Sequence, residues 1–185
     1  LVDLARYIHS KIDAHTNNPI VEVASDKVEY SDSVKWLCAN ALELSVPVPT
    51  IHAALEQRFF SGMKNDRVSA SNLFKTAIIP VRDVERGSFI EMAKAAYCIT
   101  ALCAYVEGFA LLNKANSVYM WDLNLESIAK MFEGSSFIKS RILRHAVDAL
   151  TKAGKSTSNL IKRGGYSSVI NRYLPEARMF ANICI

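Results

Sequence analysis

The sequence has 185 residues, 50% hydrophobic and 22% charged, which is ordinary globular usage and excludes a disordered or low-complexity chain. Its 22 basic and 18 acidic residues leave a formal charge of +4 with no cluster longer than Lys162-Arg163. Without aromatic and basic interleaving this argues against a nucleic-acid partner and leaves a small anionic ligand open.

One all-helical domain over residues 1–185 is expected, because a domain of about 150 residues already buries roughly 70% of its extended-chain surface. Cys38, Cys98, Cys103 and Cys184 show no CxxC spacing and are read as reduced, which implies a cytosol-like, cytoplasmic setting. Leu1-Val2-Asp3 lacks the basic start of a signal peptide. The absence of an initial Met and the apolar end at Ile185 suggest a piece of a longer protein.

In chain order, Leu1, Leu4, Ala5, Ile8 and Ile12 recur at helical spacing and predict an amphipathic helix that ends near Thr16-Asn17-Asn18-Pro19. Residues 20–30 are read as a loop or helical turn. Asp32 or Ser33 can cap a helix from Val34 to about Leu44, which Pro47 stops. Pro49 suits the first turn of the next helix, where its missing N–H costs nothing, and Ile51, Ala54, Leu55 and Phe59 form its apolar face. Gly62 ends it. A further helix over Lys64 to Lys75 would turn Val68, Leu73 and Phe74 inward, and Pro80 to Gly87 would be a surface connection.

The organising stretch is 88–116, SFIEMAKAAYCITALCAYVEGFALLNKAN, uncharged between Lys94 and Glu107 and apolar on every side of a helix. Such a helix must be buried on most faces. Ser88 and Glu91 have capping-box spacing at its start. Crossing a membrane takes about 20 apolar residues. The uncharged run stops at Glu107, so the stretch is read as the central helix of a bundle, with no membrane partner.

Beyond it, Asn124 can cap a helix from Leu125 to Phe132, and Gly134 is placed to end it. A two-sided helix from Phe137 to about Thr151 puts Phe137, Ile138, Ile142, Leu143, Ala146 and Leu150 inward, with Lys139, Arg141, Arg144 and Asp148 outward. Gly154 to Ser158 reads as a link. Leu160-Ile161 begin a short helix that Gly164-Gly165 end, and 167–173 and 175–185 complete the helices.

Few residues carry a chemical signal. The glycines form neither GxGxxG nor a Walker loop, and His9, His15, His52 and His145 have no metal-ligand spacing. The acid pairs Glu22/Asp26 and Asp122/Glu126 lie in hydrophilic surroundings. Arg58 falls at the edge of an apolar stripe, where its stem can pack while its head reaches water, or where its guanidinium can wait in a cleft for an anion.

Two series of residues resemble a known family. Tyr105-Val-Glu-Gly-Phe-Ala-Leu-Leu112, Trp121-Asp-Leu-Asn124, Ile128-Ala129 and Met131-Phe-Glu-Gly-Ser-Ser-Phe-Ile-Lys-Ser140 are similar to the YAQGF, GWxLN and MWRGGCIIRS series of 6-phosphogluconate dehydrogenases. Lys35-Trp36, Ala41-Leu-Glu-Leu-Ser-Val-Pro-Val48, Arg58 and Lys64-Asn-Asp-Arg67-Val-Ser-Ala-Ser71 are similar to that family's KGTGKW, ALExGVPV, FAR and KDERVxAS series. Their order covers nearly the whole chain.

The resemblance implies the all-α C-terminal domain of an enzyme that oxidatively decarboxylates 6-phosphogluconate to ribulose 5-phosphate in the pentose phosphate pathway, passing hydride to NADP. It also implies a homodimer whose partner's C-terminal tail completes the substrate site. The catalytic lysine and glutamate and the NADP-binding domain would precede Leu1, so this chain alone would not be active. The family's phosphate-binding arginine corresponds to Arg58, and its threonine to Ser33. Its lysine falls at Ser31, and an insertion would bring Lys27 into play instead. Asp32 and Val34 replace two glycines there, which favours the alternative of a non-catalytic dimerisation or interaction module derived from the family. A relative acting on an unphosphorylated hydroxyacid is a third reading.

Overall fold

The computed structural model describes residues 2–29, 32–74, 84–135, 140–152, 159–162 and 164–184. Those residues form helices α1 (Val2–His9), α2 (Ile20–Val23), α3 (Asp32–Glu43), α4 (Pro49–Gly62), α5 (Lys64–Leu73), α6 (Arg86–Tyr119), α7 (Leu125–Ser135), α8 (Arg141–Thr151) and α9 (Gly164–Cys184), with a 3-10 turn at Leu160–Lys162. Among them the extended pairing is confined to one isolated bridge between Ile12 and Pro19. The chain divides into two units, Leu1–Ser31 with Leu55–Thr76, and Asp32–Ala54 with Ala77–Ile185.

The larger unit is a bundle around α6. Every residue from Ala101 to Asn113 is buried or half-buried, as the all-round apolarity of that stretch requires. By length and composition α6 would also suit a membrane span. Between Ala101 and Asn113 that apolar surface packs against its neighbours, whereas Phe89, Ile90 and Tyr97 nearer the start of the helix are exposed. Leu102 and Phe109 join Ala129 of α7, Leu143, Ala146, Val147, Ala149 and Leu150 of α8, Leu160, and Tyr166 of α9 in one core. Leu111 and Ala115 of α6 meet Ala41, Leu44 and Val48 in a second.

Helix α9 runs antiparallel to α6. Tyr166 donates from its hydroxyl to the Leu102 carbonyl (2.8 Å), and Phe180 pairs with Phe89 at 5.5 Å between ring centres. Those two points lie on the order of 20 Å apart along either helix at about 1.5 Å per residue. Helices α7 and α8 are likewise antiparallel, since Glu133 meets Arg144 while Glu126 meets Thr151. The cap of α8 is Ser140, whose hydroxyl accepts from the Leu143 amide (3.1 Å) and lies 3.0 Å from the Tyr105 hydroxyl. The inward set Ile142, Leu143, Ala146 and Leu150 is buried or half-buried and Arg141, Arg144 and Asp148 are exposed, as the pattern predicts. Phe137, Ile138 and Lys139 fall outside the described residues, as do the link at 154–158 and residues 75–83.

Several boundaries differ from the sequence expectation. Helix α1 stops at His9, because the Ser10 and Lys11 amides fall back to Tyr7 and Ile8 and the chain then pairs Ile12 with Pro19. The turn is held by Asp13, which accepts from the Thr16 amide and hydroxyl, and by Asn17 at φ 58°. Such side-chain bonds offer the backbone an alternative to helix. Helix α6 begins at Arg86, and its cap is Glu85, whose carboxylate accepts from the Ser88 amide. The expected Ser88–Glu91 box does not form, and Glu91 instead pairs with Lys94.

Gly134 sits inside α7, while Asn124 caps that helix as expected by accepting from Ser127. Gly164 and Gly165 open α9, and α9 continues through Pro175 as one helix.

The smaller unit contains α1, α2, α5 and the C-terminal part of α4. None of α1, α2 or α5 buries a residue, and Val68, Leu73 and Phe74, expected inward, are exposed. On α4, Leu55 is buried and Ile51 half-buried, whereas Ala54 and Phe59 are exposed.

Candidate functional site

Helix α4 starts on Pro49 as predicted, and a side chain from the middle of α6 fixes its start. Glu107, buried at 8% exposure, accepts from the Thr50 amide through one carboxylate oxygen and from the Ile51 amide through the other, both at 3.0 Å. A carboxylate at a helix N-terminus satisfies orphan amides and meets the positive end of the helix dipole. Its charge, after burial itself, also pushes the Cys38 and Cys103 thiols up from their ordinary range.

Arg58 lies seven residues beyond Ile51 and three beyond Leu55, in line with the least exposed row of α4, and is itself half-buried. Among the described residues its guanidinium makes neither hydrogen bond nor ion pair. Several other cations are committed: Arg144 to Glu133, Lys94 to Glu91, Lys130 to Glu126, and Lys64 and Arg67 to Asp26. A half-buried guanidinium with open donors is suited to an incoming anion, because its planar fork matches two oxygens of a phosphate.

The segment that carries Lys27 is tied to the same end of α4. The Ser61 hydroxyl donates to the Arg58 carbonyl at 2.7 Å and accepts from the Val28 amide at 2.9 Å. Asp26 binds Lys64 at 3.2 Å and Arg67 at 3.0 Å, and Arg67 also donates to the Phe60 and Ser61 carbonyls at 3.0 and 3.1 Å. The hydrogen bonds from Arg67 and then Lys64 hold the Asp26 carboxyl below its usual range. Ser61 thereby joins the backbone beside Lys27 to that of Arg58, while the Lys27 side chain is exposed.

Ser33 belongs to the larger unit, where it is exposed on the first turn of α3 next to the exposed Asp32. An acid there favours the helix N-terminus. The larger unit also has a cleft of about 260 Å³ lined by Cys38, Ala41, Leu42, Val46, Pro47, Val48, Pro49 and His52, an apolar lining without a cation for a phosphate. No group of three or more His, Cys, Asp or Glu residues able to hold a metal occurs among the described residues.

Sequence reasoning missed Glu107 as a cap and Ser61 and Arg67 as ties. The one signal for Glu107 was its position as a lone charge ending an uncharged run. Arg67 was marked only as part of a matched series.

The described residues define an all-helical domain whose larger unit is a bundle threaded by one long, apolar helix. The chain matches the family described as "6-phosphogluconate dehydrogenase, C-terminal domain" over residues 1–185, and it belongs to that family. It is 29% identical over 185 residues to the NADP(+)-dependent decarboxylating 6-phosphogluconate dehydrogenase of Bacillus subtilis, covering 100% of this chain and 39% of that protein. It is 30% identical over 183 residues to the decarboxylating 6-phosphogluconate dehydrogenase of Synechococcus elongatus, covering 98% and 39%. The Plasmodium falciparum 6-phosphogluconate dehydrogenase, solved in its apo form, with NADP+ and with 6-phosphogluconate, superposes with a TM-score of 0.90 at 27% identity, over 98% of this chain and 39% of that one. The chain thus spans about two fifths of the length of these relatives.

Proposed function

We propose that this chain is the substrate-binding and dimerisation domain of an NADP-dependent 6-phosphogluconate dehydrogenase in the cytoplasm, which oxidatively decarboxylates 6-phosphogluconate to ribulose 5-phosphate and carbon dioxide. The observation that carries the reading is Arg58, a half-buried guanidinium with no bond or ion pair among the described residues, at the place where the family series carries its phosphate-binding arginine. Its role is to receive the substrate phosphate through charge-assisted bonds, roughly twice the strength of neutral ones. Lys27, tied through Val28 and Ser61 to the Arg58 carbonyl, supplies a second cation. Ser33 is the threonine counterpart by sequence position. NADP, held mainly by residues outside this chain, would supply the hydride acceptor.

The test is titration of the full-length protein with 6-phosphogluconate, with NADP reduction followed in parallel. Wild type binds and reduces NADP, and Arg58→Ala weakens binding by roughly 10- to 100-fold, the value of one or two bonds to a charged group. Absence of both binding and NADP reduction in wild type refutes the enzyme reading. The sequence Ser31-Asp32-Ser33-Val34, with an acid where a glycine is expected, favours a second reading as a non-catalytic dimerisation module. That reading predicts this null result together with a stable dimer.

A further inference from the structure

Arg67 is an exposed residue whose guanidinium is engaged in three directions: the Phe60 carbonyl, the Ser61 carbonyl and the Asp26 carboxylate. Two of these acceptors lie in the last turn of α4, where carbonyls run out of helical partners. The third lies one residue before Lys27. Ser61 makes the complementary tie, with its hydroxyl between the Val28 amide and the Arg58 carbonyl. With the bonds of 2.9 and 2.7 Å laid end to end, that amide nitrogen and that carbonyl oxygen are at most about 5.6 Å apart.

The backbone beside Lys27 and that of Arg58 are therefore held at a spacing set by one hydroxyl and one planar fork. Electrostatics points the same way. Asp26 beside Lys27 would repel a dianion, but it is held by both Lys64 and Arg67, so the three charges leave an excess of one positive. A lysine at position 67 could keep that charge. It could not hold two carbonyls and a carboxylate with a fixed fork.

We propose that Arg67 and Ser61 are positioning residues for the phosphate end of the substrate, locking the Lys27 segment to the end of α4 so that Lys27 and Arg58 close on one phosphoryl group. The inference rests on the phosphate reading of Arg58 and adds the residues that make it a two-cation site.

The experiment measures the affinity of the full-length protein for 6-phosphogluconate and for gluconate, and takes the ratio. Partial unfolding lowers both affinities together, so the ratio reports phosphate geometry and not foldedness. The variants are Arg58→Ala, Arg67→Lys, Arg67→Ala and Ser61→Ala. In the expected result each lowers the ratio, Arg67→Lys by about tenfold, the equivalent of one lost bond to a charged group, and Ser61→Ala by about three- to tenfold, the equivalent of one lost neutral bond. Ser61→Ala and Arg67→Lys, the mildest changes, carry the test if Arg67→Ala does not fold. If Arg58→Ala lowers the ratio while both mild variants keep it at the wild-type value, the clamp is overturned and the phosphate site stands. An unchanged ratio in Arg58→Ala overturns the phosphate site and the clamp with it.

Discussion

Replacing Glu107 tests how α4 is held at its N-terminus. The accounting there is closed: Pro49 has no N–H, the His52 amide donates to the Val48 carbonyl, and only Thr50 and Ile51 remain, both served by Glu107 at 3.0 Å. Glu107→Ala strands both donors beside a buried site. Each lost cap costs about 1–2 kcal/mol, so the change is worth about 3 kcal/mol. Glu107→Gln keeps one acceptor oxygen but presents an NH₂ group to the other amide and loses the charge at the positive end of the helix, a cost of about 1.5 kcal/mol. At about 2–4 °C per kcal/mol for a chain of this size, the midpoint falls by roughly 6–12 °C for Ala and roughly half that for Gln. Circular dichroism at the helical band during heating reads both shifts. A change under about 2 °C for Ala, or a larger loss for Gln than for Ala, would refute the capping argument.

Ser140→Ala removes the cap of α8 and the partner of the Tyr105 hydroxyl, and urea denaturation should show a loss of about 1 kcal/mol. Tyr166 is fully buried, and burial pushes its phenol well above the ordinary value of 10.0. Because the folded state holds that proton more tightly, its contribution is complete below pH 10 and declines as pH rises beyond it. Stability measured at pH 8 and at pH 10.5 should therefore fall less steeply in Tyr166→Phe than in wild type, and equal slopes would contradict this. Asp26 has the opposite sign. Its carboxyl is lowered from 3.8, so its contribution is present above that value and is lost as pH falls through the lower folded one. The stability gap between wild type and Asp26→Asn should close on acidification, and a gap that stays constant down to about pH 2 would show the ion pairs to be idle.

The legible part of the fold was the part whose partners lie within a turn or two. The face of α8 and the burial of α6 between Ala101 and Asn113 follow from period and composition, and Pro49 and Asn124 mark helix starts by chemistry that needs no distant residue. Where a distant or competing group decides, the pattern misleads. Asp13, Thr16 and Asn17 build a turn that takes the chain out of helix although Ile12 continues the apolar stripe of α1. Glu85 reaches the Ser88 amide before a reciprocal box can form. An apolar stripe also says only that a helix has a face to cover, not what covers it, and so Val68 and Leu73 of α5 and Phe74 after it lie exposed.

The candidate site was less legible for a related reason. Arginine beside an apolar stripe is ambiguous in sequence because its stem packs whatever its head does. What separates the two uses is whether a carboxylate has already claimed the guanidinium, and that depends on residues far along the chain. Asp26 is 41 positions from Arg67, and it pairs with Arg67 and Lys64 and not with Arg58. An ion-paired arginine must give up its carboxylate before it can take a phosphate, and the lost bond is subtracted from the new one. On the proposed phosphate reading Arg58 would keep the full gain, since among the described residues it has no carboxylate to give up. Under the proposed phosphate reading, Lys64 and Arg67 would act on the ligand indirectly, by holding Asp26, the acid beside Lys27.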